Sequence, residues 1–152
     1  MTTTVRDFSI SARTTTSYQR ALANLREALK RHGFEILCEL PLDRELERKV
    51  GLRWQHYTVF VVWSPFDAYQ AVLSDRDGGL LVPFNLCVAE DGNSTFVAVS
   101  NHTSLSRSAG PIGIQVLVRD LARKIRQVLV EVAMQEEPLA YREVRSSEAR
   151  GF

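Results

Sequence analysis

The sequence has little of what usually announces a chemistry. Two cysteines, Cys38 and Cys87, and three histidines, His32, His56 and His102, are spread over 152 residues. They form no CxxC and no Cys/His spacing, so no metal site is expected and both thiols read as reduced and mostly buried. No serine stands in a GxSxG turn and no GxxxxGK[ST] occurs. Gly78-Gly79 precede a strand and not a helix, so they do not make the N–H cluster that cradles a phosphate. Asp75-Arg76-Asp77-Gly78 opens like a calcium loop, but the position that should be a bidentate glutamate is Leu86. No histidine has a ligand or nucleophile partner at a telling spacing, so each reads as a surface or capping residue. No cofactor is expected, and the pattern leans away from an enzyme.

Charge of one sign is also missing. Nineteen Lys and Arg oppose 18 Asp and Glu, a formal net charge of +1, which gives no footprint for nucleic acid or for an anionic membrane. Arg119, Arg123, Lys124 and Arg126 cluster along one helical segment and read as its solvated face. No apolar run approaches the ~20 residues of a membrane span, and MTTTVRDFSISA lacks the basic start and apolar core of a signal peptide. A cytoplasmic location is the expectation.

What is present is an ordinary globular composition, 45% hydrophobic and 24% charged, in a chain the size of one domain. The domain is expected over 1–137, followed by a tail, 138–152, too polar to fold alone. Phe8, Ile10 and Ala12 alternate with polar residues as in a half-buried strand. Thr16 or Ser17 then caps a helix, with Gln19 three residues after Thr16 as in a capping box. Ala21, Leu22, Leu25, Ala28 and Leu29 form its apolar stripe, and Gly33 ends it. Phe34, Ile36, Cys38 and Leu40 form the inner face of a second strand. A short helix capped by Asp43 and stopped by Gly51 follows, with Leu42, Leu46 and Val50 to bury.

YTVFVVW, residues 57–63, is apolar on both sides and reads as a strand covered on both faces. Ser64-Pro65 starts a helix expected to bury Phe66, Tyr69, Val72 and Leu73. Asp91-Gly92 predicts a hairpin between the run LLVPFNLCVAE and STFVAVS. After a polar loop, 101–113, apolar residues from Ile114 to Ala133 keep helical spacing for five turns, predicting a helix over about 112–136. Within the run before the hairpin, Val82, Phe84, Leu86 and Val88 are expected to face the core. Leu81, Pro83, Asn85, Cys87 and Ala89 face the other way. Pro83 cannot donate to a sheet ladder, so it belongs at an edge or a bulge, and Asn85 meets solvent, a partner or a ligand.

TTSYQRALANLREALKRHGFEIL, the Ser64-Pro65 helix start with Ala68 and Leu73, and above all DRDGGLLVPFNLCVAEDG resemble the domain-of-unknown-function family 302. The resemblance covers residues 14 to about 100, and the loop and long helix fit by order. It implies an α+β fold in the TATA-box-binding-protein-like arrangement, with one antiparallel sheet of about five strands covered by an N-terminal helix and a long C-terminal helix. It also implies a homodimer, and no reaction. Phe84 stands where many relatives carry a cysteine after the proline, and Trp63-Ser64 where they have Asn or Cys-Asn before the helix proline. The resemblance therefore lends no thiol chemistry to this chain.

The reading that results is a homodimeric binding or accessory module with an apolar pocket between the sheet and the long helix. Pro83, Asn85, Cys87 and His102 are its candidate ligand-binding residues, and a small apolar or amphipathic molecule its ligand. The alternative is an interaction module that binds no small molecule.

Overall fold

A computed structural model of the chain describes residues 3–102 and 111–135. The strands are β1 (Thr4–Val5), β2 (Ser9–Thr14), β3 (Glu35–Pro41), β4 (Tyr57–Trp63), β5 (Phe84–Asp91) and β6 (Ser94–Ser100). The helices are α1 (Tyr18–Arg31), α2 (Leu42–Val50), α3 (Pro65–Ser74) and α4 (Ile112–Met134), with a 3-10 turn over Arg76–Leu80. The six strands form one sheet in the order β1-β2-β6-β5-β4-β3, and every neighbouring pair is antiparallel. This is the expected α+β arrangement, with one more strand because the two-residue β1 pairs with the start of β2. The tail 138–152 and loop residues 103–110 lie outside the described residues.

The registers assign the side chains to two faces. Ile10, Val99, Leu86 and Phe60 form one row across four strands, and Ala12, Val97, Val88 and Thr58 the next. Against these rows α1 packs Leu25 and Leu29, and α4 packs Leu121, Ile125, Val128 and Leu129, all at most 1% exposed. Each large side chain so buried contributes about 1.5–3 kcal/mol of transfer free energy. Val82, Phe84, Leu86 and Val88 lie in this core as their period predicts. Both helices sit on the same side, so among the described residues the opposite face of the sheet is covered by neither of them. Among the described residues no helix is long and apolar enough to cross a membrane.

Several local expectations are corrected. Ser17, not Thr16, caps α1, its hydroxyl accepting from the Arg20 N–H at 3.2 Å, while Thr16 is fully buried and the Gln19 capping box does not form around it. Phe8 precedes β2 and is exposed. In β3 the register shifts between Ile36 and Cys38. The extra residue, Leu37, makes a bulge, and because side chains alternate with period two, one added residue turns everything after it to the opposite face. Cys38 and Leu40 therefore point away from the helices and are exposed, and Glu39 takes the inner position opposite Phe60. Among the described residues β4 is fully buried on one face only: Thr58, Phe60 and Val62 are buried, whereas Tyr57, Val59, Val61 and Trp63 are half-buried.

Asp43 does not cap α2. The N-cap is Pro41, which has no side-chain hydrogen bond to offer, and Asp43 is buried in the first turn. Val50 at the other end is exposed. The largest departure is α3, which turns Ala71 and Asp67 inward and leaves Phe66, Tyr69, Val72 and Leu73 exposed at 69, 61, 46 and 67%. Small residues win there because the 3-10 turn packs directly on the helix. A Cβ built on Gly78 would lie 2.3 Å from the Ala71 carbonyl oxygen. Pro83 is neither on an edge strand nor at a bulge: it stands immediately before β5, a central strand, where no ladder bond is asked of it. The hairpin forms as expected, with Asp91 opposite Ser94. Its two-residue turn has Gly92 at φ +60 and no positive φ at Asn93, the II′ pattern that suits strand twist.

Candidate functional site

On the uncovered face small side chains lie side by side. Ser11 is opposite Ala98, and Ala98 is opposite Cys87. One row on, Ser9 is opposite Ser100, whose hydroxyl oxygen accepts from the Asn85 N–H at 3.2 Å. Larger groups surround them: Phe96 on β6, Tyr57 and Val59 on β4, and Phe8 from the turn between β1 and β2. Small residues ringed by large ones make a concavity of about 340 Å³. That turn is closed by the Arg6 N–H donating to the Ser9 carbonyl at 2.7 Å, and it brings Arg6 to the same concavity.

The chemistry of the lining is mixed but light in charge. Hydroxyls of Ser9, Ser11 and Ser100, the Asn85 amide and the Cys87 thiol offer polar contacts between apolar walls. Tyr57 and Cys87 are hydrogen-bonded; burial pushes the Tyr57 phenol well above its ordinary value, and it pushes the Cys87 thiol up as well. Both groups therefore stay protonated and act as neutral hydrogen-bonding groups, not as nucleophile or base. Arg6 carries the one charge among the described lining residues, and its guanidinium has no ion pair among the described residues. The neighbouring Arg13 is engaged by Asp91 at 2.6 Å and lies over the Phe96 ring at 5.7 Å.

Two of the four residues singled out from sequence, Asn85 and Cys87, line this concavity. His102 lies behind it, 5% exposed, with its ring 4.2 Å from that of Phe84. It reaches the site through Ser100, whose Oγ is 3.1 Å from His102 Nδ1. Burial lowers the His102 pKa, against the upward pull of hydrogen bonds to the Ser100 and Pro83 backbones. Pro83 thus contributes its backbone to His102. Between the sheet and α4 the described side chains are closely packed core, and the concavity lies on the opposite face.

Sequence reasoning missed Arg6 and Phe8, which reach the site only through the β1–β2 turn. It also missed the partners of two histidines. His32 Nε2 is 2.9 Å from Glu131, 99 residues away, and His56 Nδ1 is 3.2 Å from Asp43. No spacing signals either pair, because both depend on how the helices dock. No cluster of three or more metal-ligating side chains occurs among the described residues.

Among the described residues, a six-stranded antiparallel sheet with α1 and α4 on one side and a shallow site on the other defines a small one-sheet α+β module. The family described as "Domain of unknown function DUF302" matches residues 10–132, and the chain belongs to that family. The crystal structure of an uncharacterized conserved DUF302 protein from Bacillus stearothermophilus has a similar fold. Its TM-score is 0.75 at 20% sequence identity, covering 82% of this chain and 98% of that one. No curated protein matches the sequence.

Proposed function

We propose that the protein is a binding module whose uncovered sheet face takes a small amphipathic molecule bearing one anionic group, a carboxylate on an alkyl or aryl body. Arg6 is the observation that carries this reading. A single cation without an ion pair among the described residues, in a concavity otherwise lined by apolar and neutral polar side chains, matches one negative charge on an apolar ligand. Asn85 and the serine hydroxyls would orient the polar end, and Phe96, Val59 and Tyr57 would contact the body. Native mass spectrometry of the protein as purified, with thermal-shift measurements against alkyl and aryl carboxylates, tests the reading. A co-purified mass or a raised melting temperature that is lost in Arg6→Gln supports it, and neither being seen removes its basis.

A second reading, self-association into a homodimer without a small ligand, has its own observation. The Phe66, Tyr69, Val72 and Leu73 side chains form an exposed apolar patch on α3, of the kind that marks interaction surfaces. Light scattering after size exclusion separates the two readings, since a strict monomer at micromolar concentration contradicts self-association. We assign the protein to the cytoplasm because both thiols are unpaired and Cys38 is exposed, which fits a reducing compartment. Fractionation of cells producing the tagged full chain tests this.

A further inference from the structure

We infer that a polar cleft at the β3–β4 end of the sheet, between α1 and α2, is a second binding site, for a small oxyanion that carries neighbouring hydroxyl groups. The cleft has a volume of about 260 Å³, and Tyr18, Arg26, Glu39, Asp43, Arg44 and His56 are among its lining. It is on the helix-covered side, so it stands or falls independently of the concavity around Asn85.

The cleft presents an oriented imidazole. Asp43 is 9% exposed, and its Oδ2 lies 3.2 Å from His56 Nδ1. An ionised carboxylate can only accept, so Nδ1 carries a proton, and in the neutral ring the lone pair is left on Nε2. No described residue engages Nε2. The ring is fixed from its flat side by Tyr18, stacked at 5.2 Å and 15°. Tyr18 in turn shares a 2.5 Å hydrogen bond with the Thr58 hydroxyl, and burial, the largest influence on it, keeps its phenol protonated. The cleft thus offers one acceptor nitrogen beside a pair of hydroxyls, a set that suits a ligand with hydroxyl groups of its own.

The charge balance supplies the anionic part. Glu39 is held by both Nε and Nη2 of Arg26, each at 2.8 Å, and Asp43 is engaged by His56, so both carboxylates are already partnered. Arg44 is exposed, and its guanidinium has no ion pair among the described residues. It stands in the first turn of α2, where Pro41 provides no side-chain cap and the first N–H groups favour negative charge. An oxyanion on Arg44 with a hydroxyl donating to His56 Nε2 would use both unmatched groups at once. The same chemistry could come from the carboxylate of a hydroxy acid or from a phosphate ester of a polyol.

The test is a titration of the full-length, isotope-labelled protein with D-glycerate, with glycerol 3-phosphate and with uncharged glycerol, following the His56 ring and Arg44 Nε signals by NMR. Saturable shifts with either anion and none with glycerol are expected. A response to one anion alone also supports the site and identifies its source of charge. Arg44→Gln, an exposed change, should weaken binding about ten-fold or more. Asp43→Asn, which removes the charge that holds the ring proton on Nδ1 and so releases the tautomer, should weaken it as well while the Arg44 signal still responds. Absence of saturable shifts at about 20 mM of both anions, an unchanged affinity in Arg44→Gln, or equal binding of glycerol would overturn the inference.

Discussion

The hydroxyl of Ser100 stands 3.1 Å from Nδ1 of His102, and through that contact the polar side of the sheet is tied to a buried ring on its core side. Ser100 lines the concavity and His102 packs on Phe84, so one hydroxyl joins the site to the buried imidazole.

The His102 pKa is lowered in the fold from an ordinary value of 6.5, chiefly by burial. The unfolded chain therefore binds the proton more readily than the native one. Its contribution to stability is complete above pH 6.5 and falls as the pH drops below that value, levelling off only below the folded pKa. Urea unfolding across this range should show stability declining on acidification, with a smaller decline in His102→Gln. An identical pH slope in the two proteins would contradict this.

Gly78→Ala should cost on the order of 2–3 kcal/mol, because the added methyl meets the Ala71 carbonyl at 2.3 Å and backbone must move. Gly79→Ala, whose nearest neighbour is the Val72 side chain at 3.5 Å, should be far milder. Denaturant midpoints of the two variants decide between packing and a general intolerance of alanine in this turn.

The two cysteines should differ in accessibility. Cys38 is exposed because of the bulge at Leu37, whereas Cys87 is half-buried and its thiol is pushed up by burial. An aromatic disulfide reagent should label Cys38 quickly and Cys87 slowly, as followed by peptide mass spectrometry. A ligand seated in the concavity should protect Cys87 and leave Cys38 unaffected.

If α3 mediates self-association, Leu73→Glu should yield a monomer by light scattering. Its effect on stability should stay within about 0.5 kcal/mol, as for most exposed positions, since the side chain is 67% exposed. An unchanged mass would place any dimer contact elsewhere.

The elements with strong periodicity were legible from the chain. α1, α4 and the core face of β5 follow from the spacing of Leu25, Leu29, Leu121, Ile125, Phe84 and Leu86, since a stripe of large apolar side chains has one way to be buried. The open side of the sheet was not legible. Alternation in YTVFVVW shows two apolar faces but not that both covering helices lie on one of them. A one-residue bulge leaves no mark in FEILCEL, yet it moves Cys38 from core to surface. In α3 the apolar periodicity misled, because the close approach of Gly78 to Ala71 requires the small face inward. Asn85 and Cys87 were named from their strand face. Arg6 could not be, as a two-residue strand gives no periodic signal.

The most direct measurement is a 1H–15N titration of the full-length protein with octanoate, with 1-octanol as the uncharged comparison. Saturable shifts of the Asn85, Cys87 and Ser100 amides are expected, with octanoate binding more tightly than the alcohol and Arg6→Gln removing that difference. Shifts absent from these amides, or an octanoate affinity unaffected by Arg6→Gln, would contradict the proposal that the bare face of the sheet binds an amphipathic anion.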